Sequence, residues 1–231
     1  MIPLQGDART RRFPLVTLVI IVLNVAVFIF ALTLPRYGMT LGGFYAKAGA
    51  TPYELAHGLD VPPGDLVPWW ATLFTSMFIH GGWLYLIFNM LYLWIFGSTV
   101  EKALGRVRFL GLYVTCGLVA TATQVLTDPG STAPLIGAGG AVAGVLGAYL
   151  VLPPRAGVRR VFTRGVIFPV APLPTWILLG IWFAWQAVEG VLSFRRPDVG
   201  VAFLAQVGGF LAGVGLGFAL ARRGRKALRR A

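Results

Sequence analysis

The sequence predicts an all-α fold, a polytopic membrane bundle of six helices, and three observations carry that expectation. Hydrophobic residues make up 57% of the chain and charged residues 12%, where an average soluble domain is roughly one quarter charged. The apolar residues fall in six blocks, most of them near the roughly 20 residues that a helix needs to cross a bilayer. Lysine and arginine then collect in every second connection between the blocks.

The first block, residues 14–34, follows Arg9, Arg11 and Arg12. It is too long for the apolar part of a signal peptide and lacks a small-residue cleavage site, so it is expected to be retained as span one. Residues 1–12 are then a basic N-terminal segment, 13–221 the transmembrane domain and 222–231 a basic tail. The long connection 35–80 carries Glu54, Asp60 and Asp65 and is expected outside the cytoplasm. Its last part, 67–79, is too apolar to sit in water and too short to span. A structured loop lying in the membrane interface, with Trp69 and Trp70 as anchors, is the expected solution.

Span two, 82–98, opens behind His80-Gly81-Gly82-Trp83. Tyr85 and Asn89 are four residues apart and share a helical face. An asparagine at that depth is expected to point inward and find a partner. The stretch Val100-Glu101-Lys102-Ala103-Leu104-Gly105 is expected to turn the chain quickly into span three, 109–126, where Cys116, the single cysteine, behaves as a small hydrophobe. Asp128-Pro129-Gly130-Ser131-Thr132-Ala133-Pro134 then forms a turn-rich outer loop.

Span four, 135–152, is an apolar run punctuated by glycines. Each glycine forfeits roughly 1 kcal/mol of helix propensity against alanine. Gly140, Gly144 and, one step off, Gly147 are therefore expected to return close contact between helix backbones. Span five, 173–192, holds Gln186 and Glu189, the latter expected to snorkel from the outer end. Span six, 201–221, has its own ladder, Gly209, Gly213 and Gly217, preceded by Gln206. Two glycine-lined helices should pack on each other, which would bring Gln206 near Gly139.

The net charge of +12 could suggest nucleic acid. Its distribution argues for topology instead. Arg9, Arg11, Arg12, Lys102, Arg106, Arg108, Arg155, Arg159, Arg160, Arg164, Arg222, Arg223, Arg225, Lys226, Arg229 and Arg230 all fall on one side of the six-span arrangement. The positive-inside rule makes that side, with both termini, cytoplasmic; a bacterial inner membrane is the expected location. Membrane lipid is an expected partner of the basic tail. No aromatic interleaving or folded basic module supports nucleic-acid binding. With no His-Glu-x-x-His pattern and almost no carboxylates in the spans, neither a metal site nor a cofactor is expected.

These residues together resemble the rhomboid intramembrane serine proteases. The resemblance rests on the order of six spans, the apolar outer loop, His80-Gly81-Gly82-Trp83 leading to Asn89, and the Val100-Glu101-Lys102-Ala103-Leu104-Gly105 turn. Gly137-x-Gly139-Gly140 opening span four and Ala205-Gln206-Val207-Gly208-Gly209-Phe210-Leu211-Ala212-Gly213 in span six complete it. The resemblance implies a serine nucleophile in Gly-x-Ser-Gly on span four, a histidine base in Ala-His-x-Gly-Gly on span six, and a His-x-x-x-Asn pair on span two that helps hold the oxyanion. Position by position these fall on Gly139, Gln206, Tyr85 and Asn89, so only the asparagine is kept. His80, Trp83, Gly137 and Gly140 fall at loop and cavity positions, and Gly144, Gly209, Gly213 and Gly217 at packing positions.

Acyl transfer by this route needs an oxygen nucleophile and a base within hydrogen-bond reach. Glycine has no side chain, and a glutamine amide is not a base near neutral pH. Loss of nucleophile or base in a comparable serine protease costs on the order of 10⁶ in turnover. The resemblance then implies a non-catalytic scaffold that binds transmembrane segments of client proteins. Two other readings stay open: a protease with an unconventional nucleophile, such as Ser131 assisted by His80, and a membrane protein that holds a lipid or small molecule in the emptied cavity.

Overall fold

The computed structural model describes residues 13–60 and 66–152, eight helical residues between 177 and 188, and the helix 203–229, whose side chains are described as far as Ala221. The first and last helices frame the described chain: α1 (Leu15–Thr33) and α9 (Phe203–Arg229). Between them lie α2 (Leu41–Ala48), α3 (Pro52–His57), α4 (Trp69–Thr75), α5 (Trp83–Tyr92), α6 (Ser98–Leu104), α7 (Arg106–Thr127) and α8 (Gly139–Val151). Among the described residues no strand forms; a single bridge pairs Ala50 with Leu135. Span five, with Gln186 and Glu189, falls largely outside the described residues, as do residues 1–12.

Among the described residues, four apolar stretches are long enough to cross a membrane: Leu15–Tyr37, Trp83–Leu104, Arg106–Thr127 and Phe203–Ala221. A helix suits this setting because it satisfies its own backbone hydrogen bonds where no water can. Their outward faces carry large exposed apolar side chains, among them Leu23, Phe30, Leu84, Ile87, Leu211 and Phe218, as lipid contact requires. The inward faces meet in one cluster built on Phe96, Phe109, Tyr113, Val142, Leu146 and Trp182. Phe88 stacks on Trp185 with ring centroids 4.8 Å apart, joining span two to the described part of span five.

Span two runs further than its apolar run suggests. A π-helical turn, Leu93–Gly97, links α5 to α6, so the helix continues to Leu104 instead of turning at Val100. The break comes one residue later at Gly105, whose φ of 85° favours glycine. This extension places Glu101 at the start of α1. Pro14 precedes that helix without a side-chain cap. The Glu101 carboxylate accepts from Val16 N at 3.1 Å, Thr17 N at 2.8 Å and Thr17 Oγ1 at 2.7 Å. A buried carboxylate thereby answers orphan donors at a helix N-terminus, where the helix dipole also favours negative charge.

Span four departs most from expectation. The helix begins at Gly139, not Leu135, and its 13 residues extend about 20 Å, short of the roughly 30 Å hydrocarbon core. The chain before it descends as irregular backbone, which membranes tolerate where protein covers it. Ala50 and Leu135 exchange both backbone hydrogen bonds, at 3.0 and 2.9 Å, and Gly137 N donates to Ser76 O at 2.9 Å. The connection between spans one and two, which folds into α2, α3 and α4, thus supports the mouth of α8.

Helix α8 is buried from Ala141 to Ala148, and only its last turn reaches the surface, at Leu150. It lies between α7 and α9. A side chain at Gly140 would strike Ala120 of α7, and one at Gly144 would strike Cys116 on one flank and the Gly209 carbonyl, at 3.0 Å, on the other. From α9, Gly209 and Gly213 rest on the carbonyls of Gly140 and Gly144, while a Cβ at Gly217 would lie 3.0 Å from the backbone of Ala148.

Gly213→Ala is expected to destabilise the protein by at least about 2 kcal/mol, because the added carbon has nowhere to go. Gly215→Ala, on the same helix and facing open space, should be neutral or stabilising by up to about 1 kcal/mol through helix propensity. Thermal unfolding in one detergent compares the two. In the same assay Glu101→Ala should cost about 3 kcal/mol, since it strands donors of α1 in a buried setting.

Candidate functional site

The start of α8, the first turns of α5 and the outer part of α9 converge beneath the outer connection. Gly139 is the first residue of α8 and is buried. A Cβ at this position would lie 3.0 Å from Tyr85 Oη, 3.2 Å from Gln206 Nε2 and 3.5 Å from Gln206 Cδ. The side-chain ends of Tyr85 and Gln206 are therefore brought to Gly139 from two other helices. Tyr85 Oη donates to the Ile136 carbonyl at 3.4 Å, and its ring lies directly against Gly137. At Gly137 a φ of 117° and that contact both demand glycine.

Asn89 is buried one turn inward from Tyr85. Its Nδ2 donates to Tyr85 O at 3.0 Å, a bond back along its own helix. A cavity of about 40 Å³ opens beside Tyr85, lined also by Ser76, Thr121, Gly137, Gly140 and Gln206. That volume accommodates about two or three water molecules. Asn89 is not among the residues lining it. Ser76 and Thr121, which do line it, stand in no motif; Ser76 is legible in the sequence only as a hydroxyl outside the motifs, and Thr121, which the sequence does not single out, is brought here by its place on α7.

The remaining expected positions are spread around this centre. His80 is 1% exposed, its ring 5.1 Å from that of Tyr85, and Tyr45 Oη donates to its carbonyl at 3.4 Å. Neither ring nitrogen has a hydrogen bond of good geometry. Burial pushes the imidazole down to about 4, with a smaller opposing effect of the Phe78 backbone. Trp83 lies away from the cavity, 55% exposed and edge-on to Phe28 at 4.8 Å. Ser131 Oγ accepts from Ala133 N at 3.4 Å in the outer loop and makes no bond to His80.

This arrangement of buried apolar helices around a small cavity defines a multi-pass membrane protein. The rhomboid domain family matches residues 68–223, and the chain belongs to the rhomboid family. Similar proteins include the putative rhomboid protease YdcA of Bacillus subtilis, 30% identical over 142 residues, which are 62% of this chain and 64% of that protein. RHOMBOID-like protein 5 of Arabidopsis thaliana is 34% identical over 153 residues, 65% of this chain and 44% of that one. The rhomboid protease GluP of Bacillus subtilis is 32% identical over 176 residues, 74% and 31% of the two chains. The chain thus spans between 31% and 64% of the length of these relatives.

His80 makes the folded state sensitive to acid. Its folded pKa, about 4, lies below the unfolded value of about 6.5. The unfolded chain therefore takes up a proton first as pH falls. The stability linked to neutral burial is complete above about pH 6.5 and is lost between there and about 4, on the order of 3 kcal/mol in all. Unfolding followed across that range should show the loss, and His80→Phe should flatten it.

Proposed function

We propose that this rhomboid-family protein binds transmembrane segments of client proteins without cleaving them. The observation that carries the reading is Gly139, which stands where the resemblance expects the nucleophile and offers no reacting atom. Its neighbours support the same conclusion. Gln206, at the position expected for the base, cannot take a proton near neutral pH, and Tyr85 occupies the space beside Gly139 with a phenol held on the Ile136 carbonyl. Hydroxyl and amide groups at such a site can hold a carbonyl oxygen, but polarisation without attack is not catalysis.

Two relatives carry the word protease in their names, which favours a second reading, peptide-bond cleavage by another nucleophile. Ser131 sits in the loop before α8, where its oxygen accepts from Ala133 N at 3.4 Å and no bond to His80 forms among the described residues. The cavity of about 40 Å³ admits water but is too small for a lipid or a metabolite, which weighs against the ligand-holding alternative. We place both termini on the cytoplasmic side of a bacterial inner membrane, as the basic connections require; a C-terminal alkaline phosphatase fusion should stay inactive.

Purified full-length protein in liposomes is expected neither to cleave a model transmembrane substrate nor to be labelled by a fluorophosphonate probe. Photo-crosslinkers beside Gly139 should capture transmembrane partners in native membranes. Cleavage or serine labelling would falsify the reading. Gly139→Ser alone should stay inert, because its Cβ crowds Tyr85 Oη; Gly139→Ser with Gln206→His and Tyr85→His is expected to recover weak cleavage.

A further inference from the structure

Helix α9 is longer than a membrane requires. Its 27 residues extend about 40 Å, against a hydrocarbon core of roughly 30 Å. Gln206 marks its outer end, beside the cavity, so the excess length lies at the other. There the sequence changes abruptly, from the apolar run that ends at Ala221 to Arg222, Arg223, Arg225, Lys226 and Arg229 within the same helix.

The register of the helix fixes the face on which these cations fall. Toward α8 it carries Gly209, Gly213 and Gly217, each set against the α8 backbone. The opposite face carries Leu211, Gly215 and Phe218. The leucine and the phenylalanine are exposed, and a Cβ at Gly215 would meet nothing within 4 Å. From 211, 215 and 218 the same spacing leads on to 222, 225 and 229, in the steps of four and three that keep one line along a helix. Lys226, four beyond Arg222, stands beside that line; Arg223 is turned from Arg222 by about 100°. The register of Gly213 and Gly217 continues instead through Leu220, Gly224 and Ala227. The cations thus stand beneath the lipid-exposed stripe and not beneath the packed one.

That placement selects a partner. The positive-inside rule asks only for charge near the inner ends of spans and is indifferent to the side of the helix that bears it. No carboxylate occurs between 203 and 229. Among the described residues the one carboxylate at this end of the bundle, Glu101, is committed to the start of α1. An external anion is the fitting counter-charge, and arginine, at three of the four positions, suits a phosphate. We infer that the outward face of α9 binds an anionic phospholipid lengthwise, with its acyl chains along Leu211, Gly215 and Phe218 and its phosphate at the level of Arg222, Arg225, Lys226 and Arg229. A soluble phosphate gains nothing from the apolar half of this stripe, and a neutral phospholipid little from the cationic half.

Native mass spectrometry of the full chain released from nanodiscs tests this, with phosphatidylglycerol and phosphatidylcholine of matched chains in equal amounts. The chain should retain phosphatidylglycerol over phosphatidylcholine by about tenfold, the preference that one or two cationic contacts supply. Combined Arg222→Gln, Arg225→Gln, Lys226→Gln and Arg229→Gln should erase that preference, while Arg223→Gln alone should keep it. In the otherwise native chain a benzophenone amino acid at position 215 should crosslink phosphatidylglycerol over phosphatidylcholine, and excess glycerol phosphate should not compete. Equal retention of the two lipids by the native chain, a preference that survives the combined neutralisation, or crosslinking at 215 without preference overturns the inference. Displacement by glycerol phosphate overturns it too, by showing a site for the free anion; the crosslink decides even if the neutralised variant does not fold.

Discussion

The structure depends on the direct contact of two helix backbones. Gly209 and Gly213 of α9 rest on the carbonyls of Gly140 and Gly144 of α8. Inside lipid there is little hydrophobic gain in bringing helices together, so dispersion contact over a close approach has to supply it. Helix α7 closes the other flank, with Ala120 and Cys116 against the same glycines. Because α8 is held on both sides it can be short, and because it is short its first residue lies inside the bundle rather than at the surface. The position of Gly139 follows from that packing.

Burial of this degree places demands on every polar group, and the protein answers them in different ways. Glu101 is answered in full by the backbone and hydroxyl at the start of α1. That contact also ties the inner ends of spans one and two. Asn24 and Asn89 turn their nitrogens onto their own helices. His80 is held neutral by burial. Each arrangement avoids a free charge in a medium that would penalise it.

The outer site combines these two effects. Glycine at 137 and 139 lets the Tyr85 ring come close, and the ring then fills much of the space that a side chain at 139 would need. What remains is a small cavity whose wall mixes hydroxyl and amide groups with apolar side chains such as Met77 and Leu135. Such a site is built to hold polar atoms in place. The proposed reading, recognition without cleavage, rests on Gly139 standing where the resemblance expects the nucleophile.

Much of this was legible in the sequence. The apolar blocks and the alternating basic connections specify a helical membrane bundle, because span length and charge placement are set by the bilayer and not by tertiary contacts. The glycine ladders announce close helix packing, and the motifs around His80, Gly139 and Gln206 identify the family. Where α8 begins was not legible, since residues 135–138 are as apolar as the helix itself and are held out of it by pairing with Ala50 and Ser76. Nor was the bond from Glu101 to Thr17, which joins residues 84 positions apart. The sequence by itself determined the fold class and which side chains stand at positions 85, 139 and 206, because these follow from local composition and residue identity. The tertiary structure alone decided how near Tyr85 and Gln206 stand to Gly139 and how little space is left between them, because those distances are set by the packing of helices far apart in the chain.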